Sequence, residues 1–219
     1  MLQAARALPV VQTEHENGDR CEVWYLPEAL SAAEQARALR WLRGLGGLRR
    51  GEAFGRVLGR EQRWFHEKGE DFCGGWVRRF PRWEPFLYDE TLLWLQRRVQ
   101  AVVRERLGRS PALRGCLVNR YQDGSDHIQL HRDEANQPLA TVVGLSLGAQ
   151  RTMHWRAVEY DQDRPRSCKL RPEGEAVTCS LAPGSLLVMA GATQQHWVHG
   201  IPPEPDVTAE RYSLTFREC

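Results

Sequence analysis

The sequence contains no long apolar segment. None of its 219 residues lies in a run that approaches the roughly 18–20 apolar residues needed to span a bilayer. The N-terminal stretch MLQAARALPVVQTEHENGD also lacks the apolar core and small-residue cleavage site of a signal peptide. We therefore expect a cytoplasmic protein with no membrane partner. No sequence feature indicates an oligomer, so a monomer is the default expectation.

Closely paired cysteines are missing as well. The six cysteines are scattered through the chain without a CxxC pair, at Cys21, Cys73, Cys116, Cys168, Cys179 and Cys219. Zinc fingers and zinc-dependent deaminases need such pairs, so the spacing argues against both classes. In a chain of this length we expect reduced, mostly structural cysteines and no disulfide framework.

The charge is nearly balanced overall but unevenly distributed. The net charge is +2, yet residues 1–118 contain 20 Lys+Arg against 15 Asp+Glu, and residues 119–219 contain 10 against 13. The basic residues are overwhelmingly arginine, including the pairs Arg49-Arg50 and Arg78-Arg79. A planar guanidinium suits phosphate contact, so nucleic-acid binding is permitted. Genomic base composition explains the same arginine bias, and charge alone does not decide between the two.

The N-terminal half contains two helical patterns. The first, SAAEQARALRWLRGL, has Ser31 as N-cap, Glu34 in the position of a capping box and Gly44 at its end. The second, DETLLWLQRRVQAVVRERLG, has apolar residues at helical spacing. We expect the Gly- and Arg-rich residues 44–60 to form a loop. Residues 61–87 are rich in aromatics, which fits either a core under loops or a surface that contacts a flat ligand.

From about residue 115 the pattern changes to short strands separated by Gly, Pro and Asp. The candidates are CLVNRY, HIQLHRD, ATVVGLSLG, RTMHWR, EAVTCSL, SLLVMAG, HWVHGI and RYSLTFR. Many short strands at close intervals indicate a sandwich or barrel. Residues 160–175 are predicted to be a hairpin or an insertion loop. The expected fold is one mainly β (α+β) domain over 1–219. A helical, aromatic substrate-recognition lobe, 1–114, packs on a β core, 115–219.

Three short patterns place chemically active side chains on predicted strands. His131 and Asp133 are two residues apart, so on a strand their side chains share a face. Taken alone, the pair fits two ligands of a metal, a catalytic pair or an ordinary solvent-facing pair. HWVHGIP offers His196 and His199, which point to opposite faces, so only one of them can join such a site. Two imidazoles and one carboxylate form the ligand set of oxygen-activating non-haem iron.

Two further strands have a polar face. In RYSLTFR the alternation places Arg211, Ser213, Thr215 and Arg217 together, and in LVNRY it places Leu117, Asn119 and Tyr121 together. Two guanidinium groups on one face suit a dicarboxylate, because arginine binds a carboxylate through two parallel hydrogen bonds.

The runs NRYQDGSDHIQLHRDEA, GSLLVMAGATQQHWVHGIP and RYSLTFR, in this order, resemble the AlkB family of Fe(II)- and 2-oxoglutarate-dependent dioxygenases. The first run is especially similar to the duplex-DNA repair branch. The resemblance covers roughly residues 115–217 in ordered blocks, and the N-terminal half matches more loosely. It implies a double-stranded β-helix (jelly-roll) core with supporting helices, and Fe(II), 2-oxoglutarate and O2 as cofactor and co-substrates.

The resemblance also implies roles for individual residues. The iron ligands would be His131, Asp133 and His199. The co-substrate residues would be Arg211, which pairs with the distal carboxylate of 2-oxoglutarate, and its assistants Asn119, Tyr121, Ser213 and Arg217. Ser213 departs from the asparagine usual between the two arginines of the family motif. Serine reaches less far, which affects the expected co-substrate affinity and not the chemistry.

The residues expected around the target base are less sharply defined. The resemblance places Glu134 near the base, His131 stacked on it and Arg217 close to both base and co-substrate. The aromatic residues Trp64, Phe65 and Trp76 are candidates to stack on a flipped base, with a buried aromatic core as the alternative.

The activity implied by the resemblance is oxidative demethylation of N-alkylated bases in DNA, of the 1-methyladenine or 3-methylcytosine type. Formaldehyde, succinate and CO2 would be released. Three alternatives stay open at this point: the same chemistry on RNA, a protein side chain or a small molecule; a non-catalytic nucleic-acid-binding barrel; and a β-barrel that holds zinc or manganese.

Overall fold

The computed structural model describes residues 6–53, 55–72, 84–133, 139–161, 164–171 and 176–218. Within these ranges the helices are α1 (Ala32–Gly44), α2 (Glu90–Leu107) and α3 (Thr193–His196). The strands of the N-terminal half are β1 (Leu8–Glu14), β2 (Arg20–Leu26), β3 (Arg49–Ala53), β4 (Arg56–His66) and β5 (Phe86–Leu87). Those that follow are β6 (Leu113–Tyr121), β7 (Ile128–His131), β8 (Val142–Gly148), β9 (Arg151–Asp161), β10 (Arg164–Leu170), β11 (Ala176–Leu181), β12 (Leu186–Gly191), β13 (Trp197–Ile201) and β14 (Arg211–Glu218).

Two sheets form the core, and the chain alternates between them. The major sheet has the order β1-β2-β12-β8-β14-β6-β4-β3, with β5 beside β4. The minor sheet has the order β10-β9-β13-β7, with β11 beside β9. Strands β6, β8, β12 and β14 lie in the major sheet, and β7, β9, β11 and β13 lie in the minor sheet. The fold is the predicted double-stranded β-helix.

The two long helices cover the outer face of the major sheet. Apolar residues of α2 such as Leu95 and Val99 pack in one cluster with Val118, Leu214 and Phe216 from the strands. Both predicted helices are confirmed, and Ser31 and Glu34 form the predicted capping box at the start of α1. None of the helices in the described ranges combines the length and apolarity that crossing a bilayer requires.

The N-terminal half differs from the predicted helical lobe. Strand β2 pairs with β12, and β4 pairs with β6, so both extend the major sheet directly. The predicted loop over 44–60 is wrong, because β3 and the first part of β4 form a hairpin there. Glycine and arginine have little intrinsic strand preference, and pairing with a neighbouring strand overrides it. Of the two alternatives predicted for residues 160–175, the described part forms the hairpin, because β10 pairs with β9.

A buried arginine holds two loops against the barrel. Arg151 on β9 is 1% exposed. Its guanidinium donates to the backbone carbonyl oxygens of Asp123 (3.1 Å), Gly124 (3.4 Å), Asp126 (3.0 Å) and Pro202 (2.6 Å). These carbonyls belong to the connection between β6 and β7 and to the segment after β13. Arg151 therefore fixes the entrance to β7 and the exit from β13.

We expect the Arg151→Met variant to lose about 3 kcal/mol of unfolding free energy, because several buried carbonyl oxygens lose their donors. Urea denaturation followed by tryptophan fluorescence measures the loss. The matched control is Arg97→Met on the exposed side of α2, which should change stability by less than about 0.5 kcal/mol. Equal stability of the two variants would contradict the anchoring role of Arg151.

Candidate metal and co-substrate site

A cavity of about 980 Å³ lies between the two sheets. The minor sheet contributes His131 and His199 to its wall, together with Asp133 just beyond β7. The opposite wall is the inner face of the major sheet, which includes Tyr121 and Arg211. The cavity therefore contains both groups of residues that the sequence patterns selected.

Strand pairing brings the three candidate metal ligands together. Strands β7 and β13 are antiparallel neighbours with His131 opposite His199. Asp133 lies two residues past the end of β7, not on the strand as expected, and its carboxylate reaches both imidazoles. Asp133 Oδ1 is 3.7 Å from His131 Nε2, and Asp133 Oδ2 is 3.5 Å from His199 Nε2. Because the potential ligand atoms lie within 4.8 Å of one another, the three side chains could hold one metal ion.

The orientation of His131 suits metal binding. Its Nδ1–H donates to the backbone oxygen of Gln129 at 2.9 Å, which leaves the Nε2 lone pair for a metal. Burial lowers the pKa of His131, and the neighbouring His199 lowers it further. The imidazole is therefore held in the neutral form that a ligand needs.

Asp133 is held as a carboxylate. Burial raises its pKa, but the charge of Arg217 and the neighbouring imidazoles of His131 and His199 outweigh burial, and the net pKa lies well below the usual range. The closest of these contacts is the 2.5 Å ion pair between Asp133 Oδ1 and Arg217 Nη2. The backbone N–H of Asp133 donates to Gln194 Oε1 at 2.9 Å. Both the charge and the position of the ligand are thus fixed.

Gly200 allows the two ligand-bearing strands to approach each other beside the site. A Cβ at this position would lie 2.7 Å from the backbone oxygen of Ile128. Any other residue would therefore push β13 away from β7 next to His199.

The major sheet presents polar side chains in rows that cross neighbouring strands. In one row Arg211 is paired with Tyr121. The adjacent row is Gln62 on β4, Asn119 on β6, Ser213 on β14 and Ser146 on β8. Arg217 lies further along β14, next to the metal ligands.

Arg211 is a buried cation with free hydrogen-bond donors. The residue is 1% exposed, and its Nη2 donates to Ser146 Oγ at 2.9 Å. Its Nε and Nη1 have no hydrogen-bond partner within the described part of the chain. A carboxylate of a bound ligand would supply an acceptor and a counter-charge for this guanidinium. The donor set of the cavity thus fits a divalent metal at one end and a carboxylate at the other.

The described residues among those predicted to contact the target base, Trp64 and Phe65, do not line the cavity. Trp64 is 1% and Phe65 3% exposed; Phe65 lies in the core under the helices, and Phe72 covers Trp64 with ring centroids 4.8 Å apart. Neither ring lines the cavity, so the structure does not support stacking of a base on them. Glu134 and Trp76 lie outside the described residues.

Two other nearby histidines, His127 and His196, are not part of the three-residue cluster. His127 lines the cavity, and its Nδ1 donates to the backbone oxygen of Ser125 at 3.1 Å. His196 ends α3 and does not lie on the strand as expected. It binds Asp19 at 2.8 Å and stacks on His15.

Sequence reasoning missed several residues that support the site or line its cavity, among them Arg60, Gln62, Phe72 and Gln194. Arg60 and Gln62 are two residues apart on β4, as Arg211 and Ser213 are on β14, so they share a face of the strand. This alternation is visible in the sequence at the end of the predicted loop 44–60 and just after it. Phe72 and Gln194 have no periodic signal, because each reaches the site from a non-strand segment.

Two imidazoles, one carboxylate and a buried arginine inside a double-stranded β-helix define a metal-dependent oxygenase site of the non-haem type. The chain belongs to the 2OG-Fe(II) oxygenase superfamily, whose family model matches residues 22–217. Fe(II) and 2-oxoglutarate are the cofactor and co-substrate that define this family, and they fit the two ends of the cavity.

Individual relatives agree with this family. A DNA oxidative demethylase ALKBH2 of Mus musculus is 41% identical over 104 residues, which is 47% of this chain and 41% of that protein. The alpha-ketoglutarate-dependent dioxygenase alkB homolog 3 of Rattus norvegicus is 28% identical over 156 residues, 70% of this chain and 48% of that protein. The aligned part thus spans less than half the length of either relative.

Solved structures show the same fold. The structure of OsALKBH1 aligns with a TM-score of 0.59 at 17% identity and covers 89% of this chain and 97% of that chain. A 2OG-Fe(II) oxygenase family oxidoreductase from Burkholderia pseudomallei aligns with a TM-score of 0.52 at 23% identity, over 90% of this chain and 85% of that chain.

We expect the Gln194→Leu variant to bind Mn(II), a spectroscopic stand-in for Fe(II), about tenfold more weakly, as is typical when a group that orients a metal ligand is lost. Leucine leaves the Asp133 N–H without its acceptor. Electron paramagnetic resonance of free Mn(II) measures the dissociation constant. Gln195→Leu, next to it on α3 and exposed, is the control; equal affinities would contradict the role of Gln194.

Proposed function

We propose that this protein is an Fe(II)- and 2-oxoglutarate-dependent oxidative demethylase that repairs N-alkylated bases in DNA. The observation that carries the proposal is the joint presence, in one cavity, of the His131/Asp133/His199 cluster and the buried guanidinium of Arg211. The similarity to relatives named DNA oxidative demethylase supports DNA as the substrate.

In the proposed reaction the bound metal and 2-oxoglutarate supply the oxidising chemistry, with O2 as oxidant. One oxygen atom of O2 ends in succinate and the other in formaldehyde, while CO2 leaves the co-substrate and the base nitrogen regains a proton. This chain's own residues bind and orient the reactants. Arg211 anchors the distal carboxylate of 2-oxoglutarate through its buried guanidinium, which has unpaired donors.

Arg217 has two tasks in this proposal. Its ion pair keeps Asp133 ionised, and its guanidinium carbon lies 5.2 Å from the centre of the Phe72 ring at the cavity wall. The cavity, at about 980 Å³, is at the upper end of the range for ligand pockets and leaves room for a base beside the small co-substrate.

Phe72 replaces Trp64 and Phe65 in the proposal as the ring that stacks on the target base. It lines the cavity and is backed by Trp64. A target base inside a duplex must first leave the stack, and this costs least for a base that already pairs badly. Methylation of N1 of adenine or N3 of cytosine blocks pairing, so selectivity follows partly from the damage. Glu134 stays a predicted contact to that base.

We expect purified protein with Fe(II), ascorbate and 2-oxoglutarate to remove about 14 Da, one methylene unit, from DNA carrying 1-methyladenine or 3-methylcytosine. Mass spectrometry of the oligonucleotide measures the loss, and an RNA oligonucleotide of the same sequence tests the alternative substrate. His131→Ala and Arg211→Ala should each abolish the reaction, because they remove a metal ligand and the carboxylate anchor. Succinate without methyl loss from either nucleic acid would contradict the proposed substrate.

We expect Phe72→Ala to raise KM for methylated DNA about tenfold, within the range of base–aromatic stacking. The dissociation constant for 2-oxoglutarate should stay within about twofold, which separates loss of stacking from collapse of the site. Phe86→Ala, an exposed ring on β5 outside the cavity, serves as control. An unchanged KM in Phe72→Ala would rule out base stacking on this ring.

A further inference from the structure

The orientation of one amide determines which atoms the co-substrate end of the cavity presents. The row that contains Asn119 and Ser213 lies between Arg211 and the end of β14 that carries Arg217. A molecule that contacts both Arg211 and the metal ligands therefore passes over Asn119. An amide has an acceptor oxygen and a donor nitrogen of similar size, so its neighbours decide which atom faces a ligand.

Two side chains of β4 bind the oxygen of this amide. Asn119 Oδ1 accepts from Arg60 Nε at 3.0 Å and from Gln62 Nε2 at 2.8 Å. All three residues line the cavity and are between 6% and 9% exposed. With both donors on Oδ1, Asn119 Nδ2 is left to donate elsewhere, and its one recorded contact is a long 3.4 Å bond to the backbone oxygen of Leu117.

Arg60 sets the direction of the whole chain of hydrogen bonds. A guanidinium has donors only, so Asn119 must turn its oxygen toward Arg60. Gln62 must then turn its nitrogen toward the same oxygen. Its own Oε1 is left buried and without a hydrogen-bond partner among the described residues. Without Arg60, both amides could flip together and keep a single hydrogen bond between them.

We propose that Arg60 is a positioning residue for co-substrate binding, which it controls by fixing the Asn119 amide with its donor nitrogen free for a carboxylate oxygen of 2-oxoglutarate. The inference rests on the proposed use of 2-oxoglutarate. Ser213 strengthens it: where the family motif usually has a second amide, this chain has a short hydroxyl, so Asn119 and Gln62 are the amides that line this row.

The test measures binding of 2-oxoglutarate to Mn(II)-loaded protein by isothermal titration calorimetry, without DNA or turnover. We expect Arg60→Met to raise the dissociation constant about tenfold, the scale of one lost charge-assisted hydrogen bond. Arg60→Lys should stay within about threefold of the unaltered protein, because an ammonium also has donors only. Arg97→Met on the exposed side of α2 is the control and should bind normally.

A double-variant cycle separates positioning from direct contact. Asn119→Leu keeps the approximate shape of the side chain but removes the amide, so it should weaken binding by itself. Adding Arg60→Met to Asn119→Leu should then cause little further loss, since Arg60 acts through the amide. Additive losses would overturn the proposal by showing that Arg60 binds the co-substrate directly.

A second readout tests for general damage. The dissociation constant of metal-free protein for Mn(II) should not rise in Arg60→Met, because Arg60 donates to none of the three ligands and removing its nearby positive charge does not weaken cation binding. A parallel loss of metal and co-substrate affinity would overturn the proposal. If the unaltered protein binds no 2-oxoglutarate, the proposed function itself fails. If the unaltered protein and Arg60→Met bind it equally, only the role of Arg60 fails.

Discussion

The buried ion pair between Asp133 and Arg217 is the contact on which the site depends. Asp133 follows β7 of the minor sheet and Arg217 lies on β14 of the major sheet, so the pair joins the two sheets inside the barrel. A carboxylate buried without a counter-charge takes up a proton, and a neutral acid is a poor metal ligand. Arg217 keeps Asp133 anionic before any metal binds, so the cluster has the charge that a metal site needs.

The double-stranded β-helix separates the tasks of the site between its sheets. The minor sheet brings His131 opposite His199, and the position of Asp133 follows from the chain leaving β7. The major sheet presents Arg211 and the amide of Asn119 from adjacent strands. Because the chain alternates between the sheets, residues from the connected strands β6, β7, β13 and β14 meet in one cavity. The candidate metal ligands and the candidate carboxylate-binding residues therefore lie on separate sheets.

The N-terminal half supports this site from outside the eight core strands. Strand β4 brings Arg60 and Gln62 against Asn119. At the other edge, the β1–β2 hairpin holds α3 through the 2.8 Å contact between Asp19 and His196, and α3 carries Gln194 to the backbone of Asp133. Strand β4 thus orients the side chain of Asn119, and the β1–β2 hairpin, through α3, orients the backbone of Asp133.

The sequence alone predicted the helices, most of the barrel strands and the histidines, carboxylate and arginines that the structure brings together in one cavity, because these depend on local periodicity, capping and short spacings. Alternation in RYSLTFR placed Arg211 and Arg217 on the cavity face, as the structure does. Tertiary structure decided what depends on distant pairing. The Gly- and Arg-rich residues before Trp64 form β3 and β4 because these strands pair with each other and with β6, and the same packing buries Trp64 and Phe65. Tertiary structure also brought Arg60 to Asn119 across 59 positions of sequence, a contact that exists only because β4 pairs with β6.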